Sequence, residues 1–308
     1  MAGHATDTAN RTGCTAVLCP DGFTPGVAVP GFATGSREIE LLRSESLVES
    51  VHGIMLSGGS AFGLGAADGA VRFLREQGRG FVMPHGVIPL VSAAVIYDLD
   101  MNRRPGFLPD ADMGYDAARA ASTAPVMQGS VGAGTGARCG RLFLIHGGVE
   151  CTEKSGLGSA LTTRKGVLVG ALVVVNAMGN VYDPGDGRFL AGGRDAQGRP
   201  FDRECMLTAL AEENLPRNNT VLAVVATNAP LDKVQTNRLA RMAGAGLARV
   251  LRPAHLVYDG DVVFALAAKT ALAPESGPWT ESLLGAMAAE AVARAAANAV
   301  LTASDGAD

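Results

Sequence analysis

In "LPRNNTVLAVVATNAPL", residues 215–231, Thr220 stands directly behind Asn218 and Asn219 and at the head of an apolar run. One reading makes the asparagines a turn and Thr220 an ordinary β-branched strand opener. The other makes Thr220 a hidden N-terminus, exposed when the chain cuts itself. A threonine hydroxyl is a weak nucleophile, and no histidine stands nearby in sequence to activate it. A terminal α-amine, with a pKa of about 7.7–8.0, accepts a proton near neutral pH, so cleavage would create base and nucleophile on one residue. A second pair of interest is Asp259 and Asp261 in "YDGD", two carboxylates two apart ahead of an apolar strand. They could project toward one side, or form a solvated turn.

Ser60 is a rival nucleophile. "MLSGGSAFGLG" reads as strand, glycine turn and helix start, which resembles the nucleophile elbow of α/β-hydrolases, although Phe62 stands where the second glycine belongs. A later carboxylate and His255 would follow in the right chain order for a serine esterase. The glycine-rich segment Gly129 to Gly136 lacks the Gly-Lys-Ser/Thr ending of a phosphate loop and the spacing G-x-G-x-x-G, so a tight structural turn is the better reading. The five histidines show no metal-ligand spacing, and neither a metal nor a cofactor is expected.

The elements that must hold these residues are mixed. Strands are expected at "TGCTAVLCP", "VHGIMLS", "LVSAAVIYDL", "KGVLVGALVVVN", "TVLAVVAT" and "DVVFALA". Helices are expected after the Ser60 turn as far as Gly78, over "DADMGYDAARAAS", in a short piece to about Glu213, over "APLDKVQTNRLARMAGAGLARVLRP" up to Pro253, and in the alanine-rich C-terminal segment. Several strands are apolar on both faces and belong inside a layered α/β structure. The polar, glycine-rich stretch 183–204 reads as an exposed loop. No repeat or second domain signature appears, so residues 1–308 are read as one domain.

With 47% hydrophobic and 18% charged residues and a formal charge of −4, the chain is globular in composition and offers no basic footprint for nucleic acid. No uninterrupted apolar stretch of membrane-spanning length and no signal peptide is read, and five scattered cysteines fit a reducing, cytoplasmic compartment.

Taken together and in order, "GHATD…RTGCT", "LSGGSAFGLGAADG", "SAAVIYD", "GAGTGA", "GALVVVNAMGNVYDP", "NTVLAVVATNAPL" and "DGDVVFALA" resemble the L-aminopeptidase D-esterase/D-amidase family, with its β-peptidyl aminopeptidases and nylon-oligomer hydrolases. The resemblance spans nearly the whole chain. It implies a four-layer αββα sandwich of the self-processing N-terminal-nucleophile type, cut before a Ser or Thr at the head of a core strand. On this chain the cut would fall between Asn219 and Thr220, giving pieces 1–219 and 220–308. It implies Tyr97 and Asn176 as oxyanion donors, and Asp259 and Asp261 as partners of the Thr220 amine. The nylon-hydrolase branch carries a lysine after its glycine loop where this chain has Arg141. Arginine keeps the charge but stays protonated, so Lys154 is the alternative occupant. The expected activity is hydrolysis of small peptides or amides by homo-oligomers of α/β pairs, with no membrane or nucleic-acid partner. The other readings are the Ser60 esterase, a non-catalytic ligand-binding homologue, and acyl transfer to an amine as in the related ornithine acetyltransferases.

Overall fold

The computed structural model describes residues 1–101, 106–215, 219–269 and 280–304. Asn218, read as half of a turn, lies outside the described residues. The strands that build the sandwich are β1 (Ala2–Asp7), β2 (Thr12–Ala28), β3 (Val51–Ser57), β4 (Val91–Val95), β5 (Leu157–Arg164), β6 (Val167–Asn176), β7 (Thr220–Thr227) and β8 (Val262–Ala267). The helices that cover it are α1 (Ala66–Glu76), α2 (Ala111–Arg119), α3 (Lys233–Val250) and α4 (Glu281–Leu301).

Strand β2 is far longer than the short strand expected from "TGCTAVLCP", and it joins two sheets. Its first half pairs antiparallel with β1 and β3, and β4 follows parallel to β3. Its last residues, 24–28, pair antiparallel with β8, beyond which lie β7, β6 and β5. The register shifts between Leu18 and Phe23, where Pro20-Asp21-Gly22 interrupts the ladder and Gly22 takes a positive φ of 79°. Proline cannot donate to the ladder and glycine tolerates the left-handed backbone, so the chain turns there from one sheet into the other.

The layers follow from alternation along the strands. Leu172 and Val174 of β6, Leu222 and Val224 of β7, and Phe264 and Leu266 of β8 pack against Ile54 and Leu56 of β3 and Ala94 of β4. The intervening residues Val173, Ala223, Val225, Val263 and Ala265 face α3 and α4. On the other sheet, Cys14, Ala16, Met55, Val91 and Ala93 face α1 and α2. Strands buried on both faces between helices give four layers, αββα. Helix α4 is long and apolar enough to cross a membrane by length and composition, and 61% of its apolar window is buried in this sandwich.

The stretch 183–204 follows the exposed-loop reading only in part: residues 185, 186, 188, 196–200 and 202–204 are exposed, whereas 191–193 are buried. Phe189–Ala191 pairs with Asn180–Tyr182, the Gly193 amide donates to buried Asn180 Oδ1, and Glu153 binds both the Gly192 amide and Arg194. Polar composition marked it as solvent-facing, but at its centre the buried Gly192 and Gly193 amides are satisfied by the side chains of Glu153 and Asn180.

Candidate active site

Strand β7 lies between β6 and β8, and its first residue is Thr220, 6% exposed. The antiparallel register places Asn176, the last residue of β6, directly opposite Thr220. On the other side, Asn219 bridges to Asp259 in parallel fashion just ahead of β8. The ends of three adjacent strands therefore bring Asn176, Thr220, Asp259 and Asp261 to one edge of the sheet.

The peptide between Asn219 and Thr220 is held unusually closely. The Thr220 hydroxyl donates to the Asn219 carbonyl oxygen at 2.5 Å, and the Gly260 amide donates to the same oxygen at 2.9 Å. The Asn219 carbonyl thus has the hydroxyl of the next residue on it and a main-chain N–H polarising it. Gly260 also leaves the space that Thr220 needs: a Cβ on it would lie 2.6 Å from Thr220 Oγ1.

Asp261, 2% exposed, accepts from the Val221 amide at 2.7 Å through Oδ1 and meets His255 Nδ1 at 2.7 Å through Oδ2. The hydrogen bond to Asp261, reinforced by carboxylate charge, raises the His255 pKa above the ordinary 6.5 in spite of burial. Asp259 accepts from the Leu256 amide at 2.7 Å, and its main-chain carbonyl is capped by the amides of Phe32 and Ala33. Burial first, and the charge of Asp261 second, push the Asp259 carboxyl up to about 7. Two buried carboxylates this close resist ionising together.

Asn176 is wholly buried, with Nδ2 donating to the Tyr97 carbonyl at 2.9 Å and Oδ1 accepting from the Arg138 amide at 3.2 Å. Tyr97 follows β4, and it is its main chain that touches Asn176. The neighbouring Asp98 fixes this corner, accepting from Thr12 Oγ1 at 2.7 Å and the Gly59 amide at 2.6 Å. Burial pushes its carboxyl up to about 6 against the pull of those bonds.

Arg141 and Lys154 both attach to segments flanking Asn176. The Arg141 guanidinium is fully buried and pairs with Asp100 at 2.6 Å, while its amide donates to the Ala177 carbonyl at 3.3 Å. The Lys154 ammonium donates to the carbonyls of Ala137 at 3.0 Å, Gly134 at 3.1 Å and Ser155. Lys154 thereby closes the glycine turn, whose tight backbone leaves Gly132–Gly134 as one 3-10 turn.

Ser60 does open the turn after β3, with a positive φ of 53°, and α1 follows. Among the described residues no hydrogen bond links it to His255, which is engaged with Asp261 at the other sheet. No group of three His, Cys, Asp or Glu side chains among the described residues is arranged to hold a metal. Sequence reading missed His255 as the partner of Asp261, and missed Gly260 and Asp98. The only available signal was the glycine held between the two aspartates of "DGD".

A family model described as peptidase family S58 matches residues 1–307. An uncharacterized aminopeptidase of Mycobacterium bovis is 42% identical over 312 residues, covering 94% of this chain and 86% of that protein. A 6-aminohexanoate-oligomer endohydrolase of Paenarthrobacter ureafaciens is 31% identical over 266 residues, covering 83% of this chain and 69% of that protein. Among solved structures, a β-aminopeptidase of Burkholderia sp. matches with a TM-score of 0.65 and 25% identity, over 98% of this chain and 84% of that one. The L-aminopeptidase D-Ala-esterase/amidase of Ochrobactrum anthropi, described as a variant of the Ntn hydrolase fold, matches with a TM-score of 0.69 at 20% identity, with the same coverage of both chains.

Proposed function

The chain belongs to peptidase family S58, and from that premise we propose that it is a self-cleaving N-terminal-threonine amidohydrolase, with Thr220 as nucleophile. The fold and the family make it a hydrolase of the aminopeptidase and amidase type. The observation that carries the threonine is the hydroxyl of Thr220 on the carbonyl of Asn219, with Gly260 N–H on the same oxygen.

In the self-cleavage step, Thr220 Oγ attacks the Asn219 carbonyl carbon and passes its proton to the departing amide nitrogen. The peptide becomes an ester between Asn219 and the Thr220 side chain, and the Thr220 nitrogen becomes a free amine. Water then hydrolyses the ester, leaving Asn219 with a carboxylate. In turnover the amine takes the hydroxyl proton as Oγ attacks a substrate amide, and the leaving amine departs with it. An acyl-threonine ester remains, which water resolves. Asn176 opposite Thr220, with Tyr97 beside it, is the side-chain candidate for the substrate oxyanion, where losing one donor typically costs about 10²–10³ in rate. Asp259 and Asp261 would flank the new amine. Arg141 and Lys154 supply positive charge behind Asn176.

Small peptides or amino-acid amides are the proposed substrates, in keeping with the names of the similar aminopeptidases and the oligomer endohydrolase. Five free thiols favour a reducing compartment such as the cytoplasm, and a homo-oligomer of cut pairs is the proposed assembly.

Intact mass under denaturing conditions, with amide hydrolysis measured in parallel, tests the reading. Wild type should yield two chains split before Thr220. Thr220→Ala should stay whole and inactive, whereas Thr220→Ser should cut and turn over. A Thr220→Ala protein that hydrolyses amides at the wild-type rate would remove Thr220 from the chemistry, and loss of that activity in Ser60→Ala would then point to Ser60.

A further inference from the structure

We propose that His255 is a positioning residue for the nucleophile: its imidazolium holds Asp261 on the Val221 amide and balances the carboxylate charge beside the Thr220 amine. This rests on Thr220 being the nucleophile. The chain of contacts is short. His255 Nδ1 meets Asp261 Oδ2 at 2.7 Å, and Asp261 Oδ1 accepts from Val221 N at 2.7 Å, so the ring is two hydrogen bonds from the peptide that follows Thr220.

Charge makes the role more than packing. An α-amine next to a carboxylate is stabilised as ammonium, and an ammonium cannot take the proton of the threonine hydroxyl. Two carboxylates stand at this site. Asp259 is shifted toward its neutral form by burial and by its neighbour. Asp261 needs a cation to offset its charge, and His255 is hydrogen-bonded to it.

The groups facing the ring agree with a protonated state. Asp261 and Asp259 face it from the head of β8, and the Gly244 carbonyl faces it from α3; all three raise its pKa. Its remaining edge lines a cavity of about 620 Å³, whose charged lining residues are Arg43 and Glu45 from the loop before β3 and Arg241 from α3. The end of β2 and the two residues after it contribute only Val27, Ala28, Val29 and Pro30 to that wall. The His255 side chain is 23% exposed, so protons reach it from this cavity without passing Thr220. His255 itself has a positive φ of 57°, a backbone that few residues adopt readily, and this turn aims the ring at Asp261.

The test is the pH dependence of kcat/KM for a small amide substrate, measured on mature wild type, His255→Gln and His255→Lys. Wild-type activity should rise with pH as the Thr220 amine loses its proton. In His255→Gln that rise should move upward by about one pH unit, because Asp261 is left unbalanced. The rate at neutral pH should fall roughly tenfold. His255→Lys, which restores a cation, should bring the rise back toward wild type. A purely structural role would lower the plateau in all variants without moving the rise, and that result overturns the proposal. NMR titration of the wild-type histidine Cε1 signals gives a check that needs no folded variant. The His255 ring should titrate above 6.5 and be charged where activity sets in; a ring neutral throughout the active range also overturns the proposal. Thr220→Ala run alongside separates the premise: an uncut but active Thr220→Ala protein removes the nucleophile reading, whereas an inactive one with an unmoved His255→Gln profile removes the His255 role alone.

Discussion

Between the two aspartates ahead of β8, Gly260 approaches the Thr220 hydroxyl so closely that a Cβ would lie 2.6 Å from Oγ1 and 2.9 Å from the Ala33 carbonyl oxygen. Gly260→Ala must displace either Thr220, the proposed nucleophile, or the backbone of residue 33. It should slow self-cleavage at least tenfold, with the helical circular dichroism signal unchanged; a variant that cuts at the wild-type rate refutes this spacing requirement. Asp259 carries a second prediction. Its carboxyl is held up to about 7 in the fold, while an unfolded aspartate titrates near 3.9. The folded protein therefore binds that proton more tightly between roughly pH 4 and 7, and the stability this contributes, complete below about pH 4, is lost as pH rises through 7. The melting temperature should fall across that window, and Asp259→Asn should flatten the fall, leaving the portion due to Asp98, which burial pushes up to about 6. At this scale the sequence was legible where chemistry clusters along the chain. Thr220, Asn176, Asp259 and Asp261, all named from motifs, meet at one sheet edge. His255 was not legible in that position, because its link to Asp261 depends on a left-handed turn that no local pattern announces.

Strands were legible as elements because both of their faces are apolar, and the alternation that sorts Leu222 and Val224 from Val221 and Ala223 is already written in "TVLAVV". The true extent of β2 was not. Pro20-Asp21-Gly22 carries every sign of a chain break, yet here the interruption lies within one strand that passes from sheet to sheet. The stretch 183–204 misled in part for a related reason: at its buried centre the Gly192 and Gly193 amides donate to the Glu153 and Asn180 side chains instead of to water. Helix α3, which covers the outer face of β7 and β8, begins in a capping box, with Asp232 accepting from the Gln235 amide at 2.7 Å and the Gln235 side chain returning to the Asp232 amide at 3.0 Å. Asp232→Ala should destabilise the protein by about 1 kcal/mol in thermal or denaturant unfolding. No measurable change would mean that packing alone fixes the start of α3.

For the molecule as a whole, the sheet order matters more than any single contact. Strands β7 and β8 lie after the proposed cut, as do α3 and α4, yet the two strands sit between β6 and β2, which lie before it. Cutting before Thr220 should therefore leave the size of the native particle unchanged by light scattering, while denaturant resolves two chains. A native particle that sheds the smaller piece on cutting would contradict this interleaving. The same arrangement changes what recovery from unfolding requires. The uncut chain folds as a single molecule, at a rate indifferent to dilution, and both inner strands arrive tethered to their neighbours. After the cut, β7 and β8 must find their gap as a separate molecule, so reassembly becomes an encounter between two species and slows as concentration falls. The mature particle would then persist mainly because unfolding is slow, and a brief exposure to heat in dilute solution would inactivate it for good where its precursor would recover.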